Sequence, residues 1–204
     1  FADSIGRRME AAGFNVAVNP FGTLYNPSSI ASAIERLDSG MPYTEADCVE
    51  MGAGAGLVCS FEHHTSFARA DREEFLGNAN AELEKDSRFW KSCSKVIISL
   101  GTAFVWKKDG VTVSNCLKRK ASEFTHELMD VDEVRNTLRK IVEGHPDKEF
   151  IFTVSPVRYL GGGAHSNTLS KSILHLALDG VGSNRGTDYF PAFEILNDEL
   201  RDYR

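Results

Sequence analysis

Two short, unbroken apolar runs constrain the fold of this chain more than any other feature. Val96-Ile97-Ile98 leads into Ser99-Leu100-Gly101-Thr102, and Phe150-Ile151-Phe152 leads into Thr153-Val154-Ser155-Pro156. A strand with one wet face alternates apolar and polar side chains, whereas a strand covered on both faces reads as a continuous apolar run. The two runs are therefore expected as central parallel strands, each ending in a loop of small and polar residues.

Helical patterns surround them. Ile5, Met9 and Ala12 recur at helical spacing between Asp3 and Ala12, with Gly13 as the stop. Phe14 to Val18 alternates like a strand and breaks at Asn19-Pro20-Phe21-Gly22-Thr23. Asn26 as cap and Pro27 in the first turn open a helix carrying Ile30, Ile34 and Leu37, which ends near Ser39-Gly40. Residues of about 41–66, with Gly52, Gly54 and Gly56, read as an inserted loop or short strands, after which Phe75, Leu76, Ala79 and Leu83 restore a helical stripe. Phe104 to Val113 is expected as a hairpin turning at Lys107 to Gly110, then a helix with Val134, Leu138, Ile141 and Val142 behind an Asp130/Glu133 capping box. Leu169, Ile173, Leu176 and Ala177 mark a further helix, and Tyr189 to Ile195 an edge strand interrupted by Pro191. This alternation predicts one α/β domain over 1–204, a three-layer α/β/α sandwich with a mainly parallel, flavodoxin-like sheet and right-handed crossovers. The opening helix has no strand before it, so the first strand is expected upstream of Phe1.

Composition narrows the function. Acidic residues outnumber basic ones, 29 to 23, and the basic ones form no stripe that could follow phosphates, which argues against nucleic acid. No apolar run approaches the roughly 18 residues of a membrane helix, and the N-terminus lacks a secretory pattern, so a cytoplasmic protein with no membrane partner is expected. The four cysteines are widely spaced with no Cys-x-x-Cys pair, as reduced structural thiols would be. No metal or cofactor is expected.

In open α/β sheets the ligand crevice lies beyond the carboxyl ends of the strands. Four segments qualify: Asn19 through Pro27, Leu100-Gly101-Thr102-Ala103, Ser155-Pro156-Val157-Arg158, and His63-His64 with Ser66 and Phe67. In this order they resemble the GSCFA family, grouped with the SGNH or GDSL-like hydrolases, and the likeness runs nearly end to end. Phe1-Ala2 resembles the close of the family's Gly-Ser-Cys-Phe-Ala motif. Asn115-Cys116, Phe152 to Arg158 and Asp198 to Arg204 extend the match.

That resemblance implies an esterase-like acyl hydrolase acting on a small-molecule or glycan ester. Its serine nucleophile would stand two residues before Phe1 and its Asp-x-x-His pair soon after Arg204, with Ser, His and Asp in ordinary triad roles. Inside the chain, Gly22 and Gly101 are the candidate backbone donors to an oxyanion, Gly22 matching the superfamily's second block and Gly101-Thr102-Ala103 its third. Ala103 stands where the superfamily keeps Asn, so Asn115 or Thr102 would have to supply the missing donor. Leu117 likewise replaces a histidine common in the family. His63, His64, Ser155 and Arg158 are candidate substrate contacts.

Blander roles compete at each position. Adjacent histidines in an extended segment point to opposite sides, so at most one of His63 and His64 faces a crevice, and holding a loop is the commoner role for such a histidine. Gly22 and Gly101 also suit plain turns, Ser155-Pro156 is a common turn pair, and Arg158 reads equally as a surface residue. His126, His145, His165 and His175 carry no signal. Two further functions stay open: a non-catalytic domain binding a glycan or small molecule, and a thiol enzyme using the Cys beside the implied Ser.

Overall fold

The computed structural model of the chain describes residues 2–181 and 186–200. Helix α1 (Ala2–Ala11) is followed by Gly13 at a φ of 89°. The stretch from Phe14 to Val18 joins no strand ladder, and Phe14 is 61% exposed. Its apolar alternation is that of a strand, but a strand also needs a neighbour to hydrogen-bond, and the described residues supply none. Helix α2 (Pro27–Ser39) begins as its sequence dictates: Asn26 Oδ1 accepts from Ser29 N at 2.8 Å, and Gly40 closes the helix in the left-handed region at a φ of 59°.

The region expected as an insertion holds two short antiparallel strands, β1 (Val49–Glu50) and β2 (Val58–Cys59), before the long helix α3 (Arg72–Ser92). Strand β3 (Lys95–Leu100) is the first apolar run. A three-stranded antiparallel sheet follows, formed by β4 (Phe104–Lys108), β5 (Val111–Val113) and β6 (Thr125–Leu128) in the order β5-β4-β6. The hairpin turns at Asp109 and Gly110, both at positive φ. Strand β6 went unforeseen: Thr-His-Glu-Leu is mostly exposed and carries no apolar alternation to betray it. Helix α4 (Val131–Gly144) opens with the expected capping box, Asp130 and Glu133 each accepting the other's backbone N–H. The second run is β7 (Glu149–Val154), then come helix α5 (Gly163–Val181) and β8 (Thr187–Tyr189).

Strands β3, β7 and β8 form a parallel sheet in that order, Leu100 lying opposite Val154. The last strand is an edge strand as expected, but it stops at Tyr189, and Pro191 instead precedes a helical stretch from Ala192 to Glu199. One face of the sheet meets the expectation of burial: Ile98, Leu100, Phe150, Phe152 and Val154 join Ile34, Leu37, Val134, Leu138, Ile141, Leu174 and Ala177 in a single core. The other face departs from it, for Ile97 is 46% exposed and Ile151 only partly covered. The chain is thus a mixed α/β fold around a parallel three-stranded sheet.

Candidate functional site at the carboxyl ends of the parallel strands

The ends of β3 and β7 are locked side by side, because Ser155 N continues the parallel ladder by donating to Leu100 O at 2.9 Å. Helix α5 then ties both ends from one side. Lys171, 3% exposed, donates from Nζ to the carbonyls of Gly101 and Ser155, each at 2.6 Å. Ser170, 2% exposed, accepts from Ala103 N at 2.8 Å and shares a hydrogen bond with Thr102 Oγ1 at 3.0 Å. The loop before α2 reaches the same point, since Tyr25 O accepts from both Gly101 N and Thr102 N at 2.8 and 3.0 Å. Three chain segments therefore converge here, bringing Gly101, Thr102 and Ser155 together. Burial pushes Lys171 down to about 8, because no carboxylate among the described residues offsets the cost of holding its charge out of water.

A second group lies around Gly22. Its φ is 77°, and a Cβ there would collide with the Cβ of His64, so only glycine fits. His64 accepts from Ser66 N at 3.2 Å and meets Ser66 Oγ at 3.1 Å, and His64 N donates to Phe21 O at 2.9 Å. His64 thus holds a loop. The Gly22 N–H is engaged by Asn19 O at 2.8 Å, just as the Gly101 N–H is engaged by Tyr25 O. In this arrangement neither glycine presents a free N–H to an oxyanion. Asn19 Nδ2, on the residue whose carbonyl engages the Gly22 N–H, is buried and unpartnered among the described residues.

His63 corrects the expectation of substrate contact. It is 1% exposed, ringed by Phe21, Tyr43, Phe67 and Phe75, and joined through Nδ1 to Ser60 Oγ at 2.7 Å. Burial pushes it down to about 3, with nearby Arg36 adding to the effect, so it is a neutral core side chain. Asn115 also serves local structure: its Oδ1 accepts from Leu117 N at 2.7 Å, setting a turn in which Leu117 and Lys118 adopt positive φ. Arg158 is exposed and forms no ion pair among the described residues, and beside it Val157, Tyr159 and Leu160 are also exposed.

Sequence reasoning missed Ser170 and Lys171. Of the expected stripe on this helix, Ala177 is buried and Ile173 partly so, but Leu169 and Leu176 point outward at 44% and 58% exposure, and the inward stripe runs through Ser170, Lys171, Leu174, Ala177 and Val181. The signal available was that Ser170 and Lys171 sit in helical register with Leu174 and Ala177. A separate cluster stands at the β8 edge, where Tyr189 Oη donates to both Glu194 oxygens at 2.9 Å and His175 Nδ1 lies 3.5 Å from Glu194 Oε1. No group of three or more His, Cys, Asp or Glu among the described residues could hold a metal ion. Nor is any described helix long and apolar enough to cross a membrane.

Comparison with known proteins agrees with the resemblance drawn from the strand-end segments, of which Phe1 and Arg201 to Arg204 lie outside the described residues. No curated protein and no solved structure matches the chain. One family model does, over residues 1–204, and the chain belongs to the GSCFA family.

Proposed function

We propose that this domain is the scaffold of a serine ester hydrolase, with an acyl ester of a carbohydrate or small molecule as substrate. The observation that carries the reading is the fastening of the β3 and β7 ends to α5 through Lys171 and Ser170. Acyl transfer needs its charge-stabilising groups held rigid before reaction, and this clamp fixes the backbone where an open α/β sheet places its ligand. The nucleophile and the Asp-x-x-His pair are those that the family resemblance locates before Phe1 and after Arg204. The sheet is then the core of a three-layer sandwich. Four free cysteines suit a reducing, cytoplasmic setting.

One observation favours a second reading, a non-catalytic binding domain on the same fold: the Gly22 and Gly101 N–H groups both serve loop hydrogen bonds. Hydrolysis of a short-chain 4-nitrophenyl ester by the protein that includes the flanking motifs separates the two. The hydrolase reading expects turnover that disappears when the serine two residues before Phe1 becomes Ala. Turnover indifferent to that change, or none, leaves the binding domain.

A further inference from the structure

The charge around the clamp is unlike that of the rest of the chain. The protein is acidic overall, with 29 Asp and Glu. Yet no Asp or Glu occurs in residues 11–34, 87–108 or 150–178, which include all three segments converging at the ends of β3 and β7. Within the last of these stretches stands Lys171, held by two carbonyls and by no carboxylate among the described residues. Burying a cation without a partner is costly, and such a charge persists where something else supplies the opposite sign. Arg158, on the loop leaving β7, is a second cation without an ion pair among the described residues.

We propose that the protein takes a ligand bearing a negative charge at the ends of β3 and β7, and that Lys171 sets this preference with Arg158 assisting from the loop that leaves β7. Lys171 acts through its field and through the carbonyls that it positions. Its Nζ lies against the carbonyls of Gly101 and Ser155, just past the last residues of two parallel strands, where low dielectric lets a fixed charge reach further than it would in water. A neutral ligand would leave that charge uncompensated, whereas a carboxylate or phosphate next to the reacting ester would offset it. The ester part rests on the hydrolase reading above. The preference for an anion stands on Lys171 and its surroundings alone.

A matched pair of substrates tests this in the protein that includes the flanking motifs: mono-4-nitrophenyl adipate, whose free carboxylate closes no five- or six-membered ring on its own ester, and its neutral methyl ester. The expected ratio of kcat/KM favours the charged compound by about tenfold, the scale of one well-placed charge interaction. Lys171→Met brings the ratio close to one, Lys171→Arg retains most of it, and Arg158→Gln, on an exposed loop where folding is not at stake, lowers it about threefold. Lys148→Met, at the opposite end of the sheet, leaves the ratio as it was. A wild-type ratio of one or below, or a ratio unmoved by both Lys171→Met and Arg158→Gln, overturns the proposal. If neither ester is turned over, the hydrolase reading fails and the charge preference is decided by binding. Succinate should then raise Tm where succinamide does not, with the effect lost in Arg158→Gln, and no difference between the two ligands overturns the proposal.

Discussion

The two ends of the parallel sheet each hold a nearly buried lysine, and they handle its charge in opposite ways. At the entry to β7, Lys148 donates to the carbonyls of Trp90 and Cys93 at 2.8 and 2.9 Å, lies over the Trp90 ring and meets Asp147 Oδ2 at 3.3 Å. Those carbonyls end α3, where the helix dipole is negative, so every neighbour of this ammonium welcomes a positive charge. At the exit from β3 and β7, Lys171 has carbonyls alone among the described residues. The same side chain with the same hydrogen-bonding habit is a staple at one end and an unbalanced charge at the other. Proteins keep unbalanced charge where it does something besides hold the fold together.

This contrast breaks most readily through stability. Lys148→Met removes the donor from two helix-end carbonyls and the partner from Asp147, and is expected to cost about 3 kcal/mol in urea unfolding. Lys171→Met also orphans two carbonyls but relieves a desolvated charge, so its cost should be nearer about 1 kcal/mol. Equal losses would show that both lysines are staples.

Acid and alkali sharpen the comparison with a third buried base. His63, held down to about 3, binds its proton in the unfolded chain well before it does so in the folded one. Over the interval from about 3 to its ordinary 6.5 the unfolded state carries more protons, so stability falls as pH falls through that range. His63→Gln should flatten this acid limb even if it lowers stability at neutral pH. Lys171, held down to about 8, obeys the same sign higher up: between about 8 and 10.5 the unfolded chain keeps the proton longer, and this residue makes stability rise with pH. Cys59, pushed up by burial to about 11, works the other way as pH rises, as do the hydroxyls of buried Tyr43 and of Tyr189 beside Glu194. The quantity to measure is therefore the difference between wild type and Lys171→Met across pH 7.5 to 9.5, which should grow with pH. A flat difference would mean that Lys171 keeps its charge as comfortably as a surface lysine.

What the sequence disclosed follows from how local each feature is. The Asn26 and Asp130 caps are side chains bonding backbone three residues away, and both are visible in order and spacing. The apolar runs marked β3 and β7 as strands, yet such a run records only a preference for burial on both faces, and Ile97 is 46% exposed. Phe14 to Val18 misled because alternation records a preference, while a ladder needs a partner far along the chain. His63 misled because its surroundings, Phe21, Tyr43 and Phe75, come from separate segments, two of them 20 residues or more from it along the chain, and turn a crevice candidate into core. Lys171 escaped notice because α5 offers two rival apolar stripes, and only the strand ends packed against it decide which faces inward.

The smallest effect probes the clamp without touching charge. Ser170 Oγ is the acceptor for the buried Ala103 N–H and the partner of Thr102 Oγ1. Ser170→Ala leaves that amide without an acceptor, a loss of about 1 kcal/mol. If the exit end is a rigid platform, the loss should stay local: amide hydrogen exchange at Ala103 quickens about fivefold, as about 1 kcal/mol of local opening requires, while β7 amides paired with β3 exchange as before. Faster exchange along both strands would show instead that the clamp holds the whole sheet together. The exit end would then be a second staple, and its unbalanced lysine would need a structural explanation.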